Sequence, residues 1–143
     1  MIYTPSIKKA IKICYKAHEG QLDKSGIPYI FHPFHLAEQM EEEDEIIVAL
    51  LHDVVEDSDY SFDDLVAEGF SVEIINALKL LTHMDSIPYF EYIKQIKTNV
   101  LAAKVKLADL KHNSDLSRLD TIDNKSLARV KKYRKAIELL SIN

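Results

Sequence analysis

The sequence has few of the residues that disulfide scaffolds, turn-rich sheets and glycine-rich nucleotide loops require. Of its 143 residues, one is cysteine, three are glycine and four are proline. A single cysteine excludes an internal disulfide framework and is typical of a reducing compartment. No GxGxxG or GxxxxGKS stretch is present, which excludes the phosphate cradle that many nucleotide-binding folds build from glycine.

Long apolar runs and an excess of positive charge are also missing. No stretch approaches the roughly 20 apolar residues of a membrane span, and the N-terminus has no small-residue cleavage site of a signal peptide. Lysine plus arginine is 18 against 23 acidic residues, and this net charge of -5 disfavours nucleic-acid binding through a basic surface. We therefore expect a soluble, cytoplasmic protein that binds neither membranes nor nucleic acid.

The apolar residues that are present recur at helical spacing. Thr4 and Pro5 predict the start of a helix that ends near Gly20, and Pro33 begins another that runs to about Met40. Residues 46–55 are apolar on nearly every side of a helix, which predicts a buried central helix. Further helices are predicted at 61–68, 71–82, 88–97, 98–113 and 124–140. No segment alternates like a strand, so we predict a single all-α domain, residues 1–143, of about eight helices.

The central segment ends in four ionisable side chains that a core does not tolerate alone. Residues 49–57 read ALLHDVVED, so His52, Asp53, Glu56 and Asp57 follow directly on a buried run. Burying unpaired charges is costly, and these groups therefore need water, cations or a metal ion beside them. On one continuous helix the histidine would lie beside Glu56 and the first aspartate beside Asp57.

Two other segments offer side chains that could complete a site. His32 stands where a loop meets a helix, and Asp109 lies in the largely apolar stretch VKLADLKHN, with Lys106 and Asn113 on the same face. With the central His-Asp pair they make two imidazoles and two carboxylates, a donor set that suits a divalent ion and leaves positions open for water and substrate.

Simpler roles are open to the same groups. The central His-Asp pair also fits a hydrogen-bonded core pair, and Asp109 fits a salt bridge to Lys106 or Lys111. The last two acids of ALLHDVVED fit an acidic helix end beside Ser58, although acids at a helix C-terminus oppose the helix dipole.

Three stretches between positions 17 and 119 together contain the pattern H…HD…D: AHEGQLDKSGIPYIFHP, ALLHDVVEDSDYSFDDL and VKLADLKHNSDLSRL. In these stretches the sequence resembles the HD-domain metal-dependent phosphohydrolases, and most closely the hydrolase half of RelA/SpoT-type alarmone proteins and short stand-alone bacterial HD proteins. The resemblance implies an HD-domain helical bundle in which His32, His52, Asp53 and Asp109 bind one divalent ion. That ion is commonly manganese in this family, and the same ligands accept iron, cobalt or zinc.

The resemblance also implies catalytic and binding roles. Glu56 and Asp57 would orient and deprotonate the attacking water, because a carboxylate one helical turn from the ligands can take its proton. Substrate contacts are expected from Lys24, Ser25, Tyr29, Lys106 and Asn113. The alternatives are a solvated loop lysine for Lys24 and a packing role for Tyr29.

The chain departs from the alarmone-hydrolase pattern at three arginines. That pattern typically has Arg-Lys-Ser-Gly, Ala-Asp-Arg and Asn-Met-Arg, and this chain has Asp23, Leu110 and Asp115 at the arginine positions. Because the planar arginine fork grips phosphates better than lysine does, a guanosine with two pyrophosphates would be held less firmly. Lys111 and Arg118 are close enough along the chain to compensate.

The resemblance predicts a stand-alone HD-type hydrolase that removes the 3′-pyrophosphate from (p)ppGpp. One alternative is an HD phosphohydrolase that acts on another nucleotide or phosphate ester, and another is a noncatalytic nucleotide-binding sensor. Four histidines are not expected to be ligands: His18 and His112 would line or support the site, and His35 and His83 would lie on a helix face or end. The basic residues of the last helix are expected to form a solvated face: Arg129, Lys131, Lys132, Arg134 and Lys135.

Overall fold

The computed structural model of the protein describes residues 1–141. In this range it contains nine α-helices, one 3-10 helix and no strand, and the all-α prediction is confirmed. The predicted number of about eight holds when the four-residue α4 is counted with α3. The α-helices are α1 (Pro5–Ala17), α2 (Phe31–Glu38), α3 (Glu43–Leu51), α4 (Val54–Asp57), α5 (Phe62–Ala67), α6 (Val72–Leu81), α7 (Tyr89–Lys97), α8 (Val100–Asn113) and α9 (Asn124–Ser141), and the 3-10 helix is Leu116–Arg118.

Local sequence signals set most of the helix starts. The Thr4 hydroxyl oxygen accepts the Ile7 N–H at 3.2 Å and caps α1, and Ser61 and Ser71 cap α5 and α6 in the same way. The Asn99 side chain caps α8. Each cap satisfies one of the N–H groups that the first turn of a helix leaves without a partner. These starts therefore lie within a residue or two of the predicted ones.

Helix α3 is the centre of the molecule. Its residues 46–51 are 0–1% exposed, and it contacts α1, α2, α6 and α8. Fully burying one leucine or isoleucine side chain contributes about 1.5–3 kcal/mol, so this helix alone accounts for a large part of the core. The predicted buried central helix is confirmed for this segment.

The sequence predicted one continuous helix for the central segment, and the structure shows two. His52 and Asp53 separate α3 from α4, and Asp53 has φ −109° and ψ 1°. The Ala49 carbonyl oxygen accepts from His52 Nδ1 at 2.7 Å, whereas in an uninterrupted helix it would accept from the Asp53 N–H. The imidazole therefore replaces a backbone donor, and the resulting kink redirects the chain just where the ligand side chains begin.

The loop between α1 and α2 is folded tightly. Asp23 Oδ1 accepts the N–H groups of Ser25 and Ile27 at 2.8 and 3.0 Å, and Gly26 has φ +79°, a conformation that favours glycine. The Ser25 hydroxyl donates to the Arg118 carbonyl oxygen at 2.7 Å. The loop is thus fixed against the segment that follows α8.

Helix α9 closes the fold beside the site. It contacts α7 and α8 and buries only Ser126, Val130, Ala136 and Leu140. Neither α9 nor any other helix of residues 1–141 has both the length and the apolar composition to cross a membrane.

Candidate metal centre and adjoining cavities

The structure brings the predicted ligand side chains together from separate helices. His32, His52 and Asp109 are 3%, 5% and 5% exposed, and one donor atom from each lies within 4.8 Å of the others. His32 Nε2 is 2.9 Å from Asp109 Oδ1, and His52 Nε2 is 3.6 Å from the same oxygen. Asp53, the fourth predicted ligand, places Oδ2 at 3.0 Å from His52 Nε2.

The hydrogen bonds of His52 leave one ring nitrogen free to bind a cation. Because Nδ1 donates to the Ala49 carbonyl oxygen, Nε2 is the nitrogen that carries the lone pair once the ring gives up its second proton to bind a metal ion. This nitrogen is buried and has no hydrogen-bond partner among residues 1–141, since Asp53 Oδ2 lies in a direction that makes no hydrogen bond. A buried polar atom left in this way calls for a ligand.

Donor chemistry and spacing both fit a divalent ion. Two ligand atoms each about 2.1 Å from one ion and about 90° apart are about 3.0 Å from each other, close to the separations found here. Burial by itself lowers the pKa of His52, but Asp53 and Asp109 outweigh it and raise the pKa well above its usual value. An environment that draws a proton to this nitrogen also draws a metal ion.

Asp109 divides its two oxygens between two kinds of partner. Oδ2 accepts from Lys106 Nζ at 2.9 Å, and Oδ1 faces the two histidines and accepts from Asn113 Nδ2 at 3.0 Å. Burial by itself raises the pKa of Asp109, but Lys106 and the histidines hold it well below its ordinary value. The salt bridge considered as an alternative is therefore present, and it leaves one oxygen for a metal ion.

Tyr29 and Asp53 are linked by a hydrogen bond from the tyrosine hydroxyl to Oδ2. Burial, and then Asp53 itself, raise the pKa of Tyr29, so the hydroxyl remains a donor. Burial also raises the pKa of Asp53, but the His52 charge outweighs that effect and holds the pKa at about 2. Tyr29 thus orients an ionised carboxylate rather than merely packing.

His32 contacts a second histidine through the ring nitrogen that points away from Asp109. Its Nδ1 lies 2.7 Å from Nδ1 of His112. Burial, followed by the Arg118 charge, lowers the pKa of His112 to about 4, so this ring is neutral near pH 7 and can accept a proton in the hydrogen bond. We assign the shared proton to His32 Nδ1, which leaves its Nε2 for the ion. His112 therefore supports the site, as expected.

The two acids predicted to act on water differ in position. Glu56 lines the cavity that also contains His52 and Asp109, and its Oε1 accepts the His83 N–H at 2.7 Å. Glu56 is exposed overall, and the partial burial of its carboxyl group raises its pKa, with further contributions from nearby aspartates. Asp57 is not among the residues that line this cavity. Of the pair, Glu56 is better placed to meet a substrate.

One cavity of about 360 Å³ is lined by His32 and His112, and two further cavities near the candidate centre contain the predicted substrate residues. The first of these two, of about 230 Å³, contains His52, Asp53, Glu56 and Asp109 together with the predicted substrate residue Lys106. The second, of about 360 Å³, contains the other four predicted substrate residues together with two arginines: Lys24, Ser25, Tyr29, Asn113, Arg118 and Arg129. Tyr133 of α9 lines both cavities, so the predicted substrate residues divide between two neighbouring spaces.

Arg118 places its guanidinium group beside Asp23, one of the three positions at which this chain lacks the arginine of the alarmone-hydrolase pattern. Its Nη2 is 3.8 Å from Asp23 Oδ2, and its Nη1 donates to the His112 carbonyl oxygen at 2.9 Å and to Asn113 Oδ1 at 3.3 Å. The guanidinium therefore joins the loop before α2 to the end of α8, next to the second cavity. Its closeness to Asp23 depends on the fold and not on sequence spacing.

Sequence reasoning missed the residues that α7 and α9 contribute to the first cavity. Tyr89, Tyr92, Lys132 and Tyr133 all line it. The only sequence signal was weak: two tyrosines three residues apart on α7, and a lysine next to a tyrosine on α9. Such spacing is equally typical of a core face or a solvated face.

Comparison with known proteins identifies the family. The model of the HD-domain family matches residues 10–137. The chain belongs to the HD-domain family. Among curated relatives of this HD domain, the GTP pyrophosphokinase of Streptomyces coelicolor is 33% identical over 149 aligned residues, which cover 95% of this chain and 17% of the relative. The guanosine-3′,5′-bis(diphosphate) 3′-pyrophosphohydrolase of Spiroplasma citri is 38% identical over 125 aligned residues, which cover 75% of this chain and 16% of the relative.

The HD domain described here thus spans about a sixth of the length of these curated relatives. A solved structure described as a metazoan ortholog of SpoT that hydrolyses ppGpp matches with a TM-score of 0.77, covering 99% of this chain and 88% of its own at 23% identity. This likeness confirms the HD-domain helical fold. HD domains bind divalent metal ions, in agreement with the cluster of His32, His52 and Asp109.

Proposed function

We propose that this HD domain is a metal-dependent pyrophosphohydrolase that removes the 3′-pyrophosphate from (p)ppGpp, releasing GDP or GTP. The observation that carries the proposal is the buried convergence of His32, His52 and Asp109 beside two cavities. The relative from Spiroplasma citri, named for this activity, supports the choice of substrate.

In this proposal His32, His52, Asp53 and Asp109 hold one divalent ion, with manganese as the first choice and iron, cobalt or zinc as ions that suit the same donors. When bound, the ion supplies Lewis-acid polarisation of a phosphoryl oxygen and lowers the pKa of a water molecule. Tyr29 orients the Asp53 carboxylate through its hydrogen bond.

Glu56 is the base in the proposed reaction. It takes a proton from the attacking water as the water oxygen bonds to the phosphorus next to the ribose. The bond from that phosphorus to the 3′-oxygen breaks, and the 3′-oxygen leaves with the electron pair and takes up a proton. Hydrolysis of ppGpp in this way consumes one water and yields GDP and pyrophosphate. Asp57 assists by its charge, which contributes to the raised pKa of Glu56.

The two cavities support a substrate that has a diphosphate on one side and a nucleoside with further phosphates on the other. The first cavity contains the candidate metal ligands and Glu56, and suits the group that is cleaved. The second contains Lys24, Arg118 and Arg129, whose charges suit the 5′-phosphates, and Tyr29, whose ring can contact the nucleoside.

The experiment that tests this function is a substrate panel with the manganese-loaded protein. Pyrophosphate release from ppGpp, faster than from any other nucleotide and absent in His52→Ala and Asp53→Ala, is the expected result. Faster turnover of another compound would favour an HD phosphohydrolase with a different substrate. That second candidate is favoured by Asp23, which stands where the alarmone hydrolases have arginine and which neighbours Arg118. Tight ppGpp binding without product in several divalent ions would instead indicate a sensor.

A further inference from the structure

One wall of the first cavity is made by side chains that are not candidate metal ligands. It consists of side chains from α7, α8 and α9: Tyr89, Tyr92, Lys106, Lys132 and Tyr133. Two of them have partners within the protein, since the Tyr92 hydroxyl donates to the Leu81 carbonyl oxygen at 2.5 Å and Lys106 pairs with Asp109 at 2.9 Å. Tyr89, Lys132 and Tyr133 remain, and of these Tyr133 also lines the second cavity.

The Tyr89 hydroxyl is a buried polar group with no hydrogen-bond partner in residues 1–141. Burial raises the pKa of Tyr89 to about 12, so the hydroxyl keeps its proton and remains available as a donor. Leaving a buried donor unsatisfied destabilises a fold unless water or a ligand uses it. Because Tyr89 lines the cavity that contains Glu56 and Asp109, a ligand bound there is the natural acceptor.

Lys132 lies against this tyrosine. Its Nζ is 4.4 Å from the centroid of the Tyr89 ring and 5.6 Å from that of Tyr133, and no carboxylate of the described chain lies within salt-bridge distance of it. The aromatic contacts hold the ammonium group in place and leave its N–H donors free for an anion. Its neighbour Lys131 lines a separate groove on α9. Lys132 is exposed, as predicted for the basic face of this helix, and it also lines the first cavity.

The charges that line the first cavity become favourable to an anion once a divalent ion is bound. With His52 in the neutral form that binds a metal ion, Lys106 and Lys132 carry two positive charges and Asp53, Glu56 and Asp109 carry three negative charges, which leaves −1. A divalent ion changes this local sum to +1. Because charges more than about 10 Å away are screened at ordinary salt, the local sum matters more than the net charge of the chain.

We infer that Tyr89 and Lys132 form a phosphate-binding wall that takes oxygens of the diphosphate group as it is cleaved and leaves. Tyr89 donates its hydroxyl proton to a phosphate oxygen, and Lys132 donates N–H groups and supplies positive charge. The identity of the diphosphate as a reaction product rests on the proposed function. The ability to bind a diphosphate depends on the cavity alone and can be measured separately.

The test is the binding of inorganic pyrophosphate to the manganese-loaded protein, measured by titration calorimetry. Tyr89→Phe keeps the ring that Lys132 contacts and removes only the hydroxyl, so we expect affinity to fall about 3- to 10-fold. Lys132→Gln removes the charge and should weaken binding about 10-fold or more. The matched control is Lys131→Gln, one residue away on the same helix, which should bind as the wild type does.

Manganese affinity and the thermal unfolding midpoint, measured on the same proteins, are expected to stay at wild-type values and so exclude a loss caused by misfolding. Equal pyrophosphate affinity in all four proteins would overturn the inference, as would an equal loss in Lys131→Gln or a wild type that does not bind pyrophosphate. If both variants lose pyrophosphate binding while the wild type leaves ppGpp intact, the phosphate-binding wall stands and the proposed function fails.

Discussion

His112 and His32 lie edge to edge in one plane, with their Nδ1 atoms 2.7 Å apart, their ring planes 2° apart and their centroids 5.0 Å apart. Because the two ring planes are nearly parallel, the distance between them cannot exceed the 2.7 Å that separates the two Nδ1 atoms. Rings stacked face to face lie farther apart than this. The hydrogen bond therefore lies in the plane of both rings, along the lone pair of the acceptor. One ring fixes the tautomer and the orientation of the other.

We expect His112→Phe to weaken manganese binding by about 10- to 100-fold, because the ring volume is kept and only the acceptor for His32 Nδ1 is lost. His112→Asn should retain most of the affinity, since its side-chain oxygen can stand close to the position of Nδ1. Competition with a fluorescent chelator measures both constants without relying on activity. Wild-type affinity in the phenylalanine variant would show that His32 needs no support from this side.

The convergence of His32, His52 and Asp109 could be predicted because its signals are local. A histidine before Pro33, a His-Asp pair ending a buried run and an aspartate within an apolar helix each mark an unusual polar residue in the core. The break between α3 and α4 was not predictable, because it coincides with a hydrogen bond from His52 to the Ala49 carbonyl oxygen that sequence spacing does not contain. Helical propensity alone predicts that the segment continues.

The cavity walls could not be predicted from the sequence, because they depend on how distant helices pack. Lys131 and Lys132 have identical chemistry and neighbouring positions, yet they line different grooves of α9 because adjacent side chains diverge by about 100° around a helix. Likewise, Arg118 meets Asp23 only because the loop before α2 folds against the end of α8. Sequence spacing contains neither relationship.

Lys106 provides a prediction about stability, because it neutralises Asp109 in the metal-free protein. Its side chain is 15% exposed and that of Asp109 is 7% exposed, so the pair is nearly buried. Removing one partner of a buried pair typically costs about 3–5 kcal/mol, and we expect the free energy of unfolding of Lys106→Met to fall by about 3 kcal/mol. Manganese should restore part of this loss, since the ion also neutralises Asp109.

Urea unfolding in chelator and in excess manganese measures both parts of this prediction. The control is Lys104→Met on the same helix, whose salt bridge to Glu45 at 2.8 Å is formed by a lysine that is 45% exposed. Glu45 is 13% exposed, so this pair is only partly exposed; such a pair contributes about 1 kcal/mol, and manganese should not change that value. Equal losses in the two variants would contradict the role given to Lys106.

Glu56 predicts how the reaction depends on pH. A general base works only when ionised, and burial raises the pKa of Glu56 above its ordinary 4.5. We therefore expect kcat/KM for ppGpp to be high above that raised pKa and to fall as the pH decreases through it. Glu56→Gln should lose about 100- to 10,000-fold in kcat at every pH.

Asp57→Asn is the matched variant for this pH profile. Because the Asp57 charge contributes to the raised pKa of Glu56, its removal should shift the midpoint of the acidic limb to lower pH. We expect a smaller loss of kcat than in Glu56→Gln, since Asp57 does not line the first cavity. A larger loss in Asp57→Asn would exchange the roles of the two acids.

Arg118 predicts a separation between substrate binding and catalysis. Its side chain reaches Asp23, Asn113 and the His112 carbonyl oxygen, and its own carbonyl oxygen accepts from the Ser25 hydroxyl at 2.7 Å. These contacts fix the loop that lines the second cavity and make no contact with a candidate ligand atom.

Arg118→Met should therefore raise KM for the nucleotide and leave kcat and manganese affinity near their wild-type values, the pattern that follows when uniform binding is lost. Arg134→Met is the control, because Arg134 lines a different groove of α9 and neither of the two cavities. If manganese affinity falls in parallel with nucleotide affinity, Arg118 acts through His112 on the metal centre and not through the loop. Measuring both constants on the same preparations distinguishes these two routes.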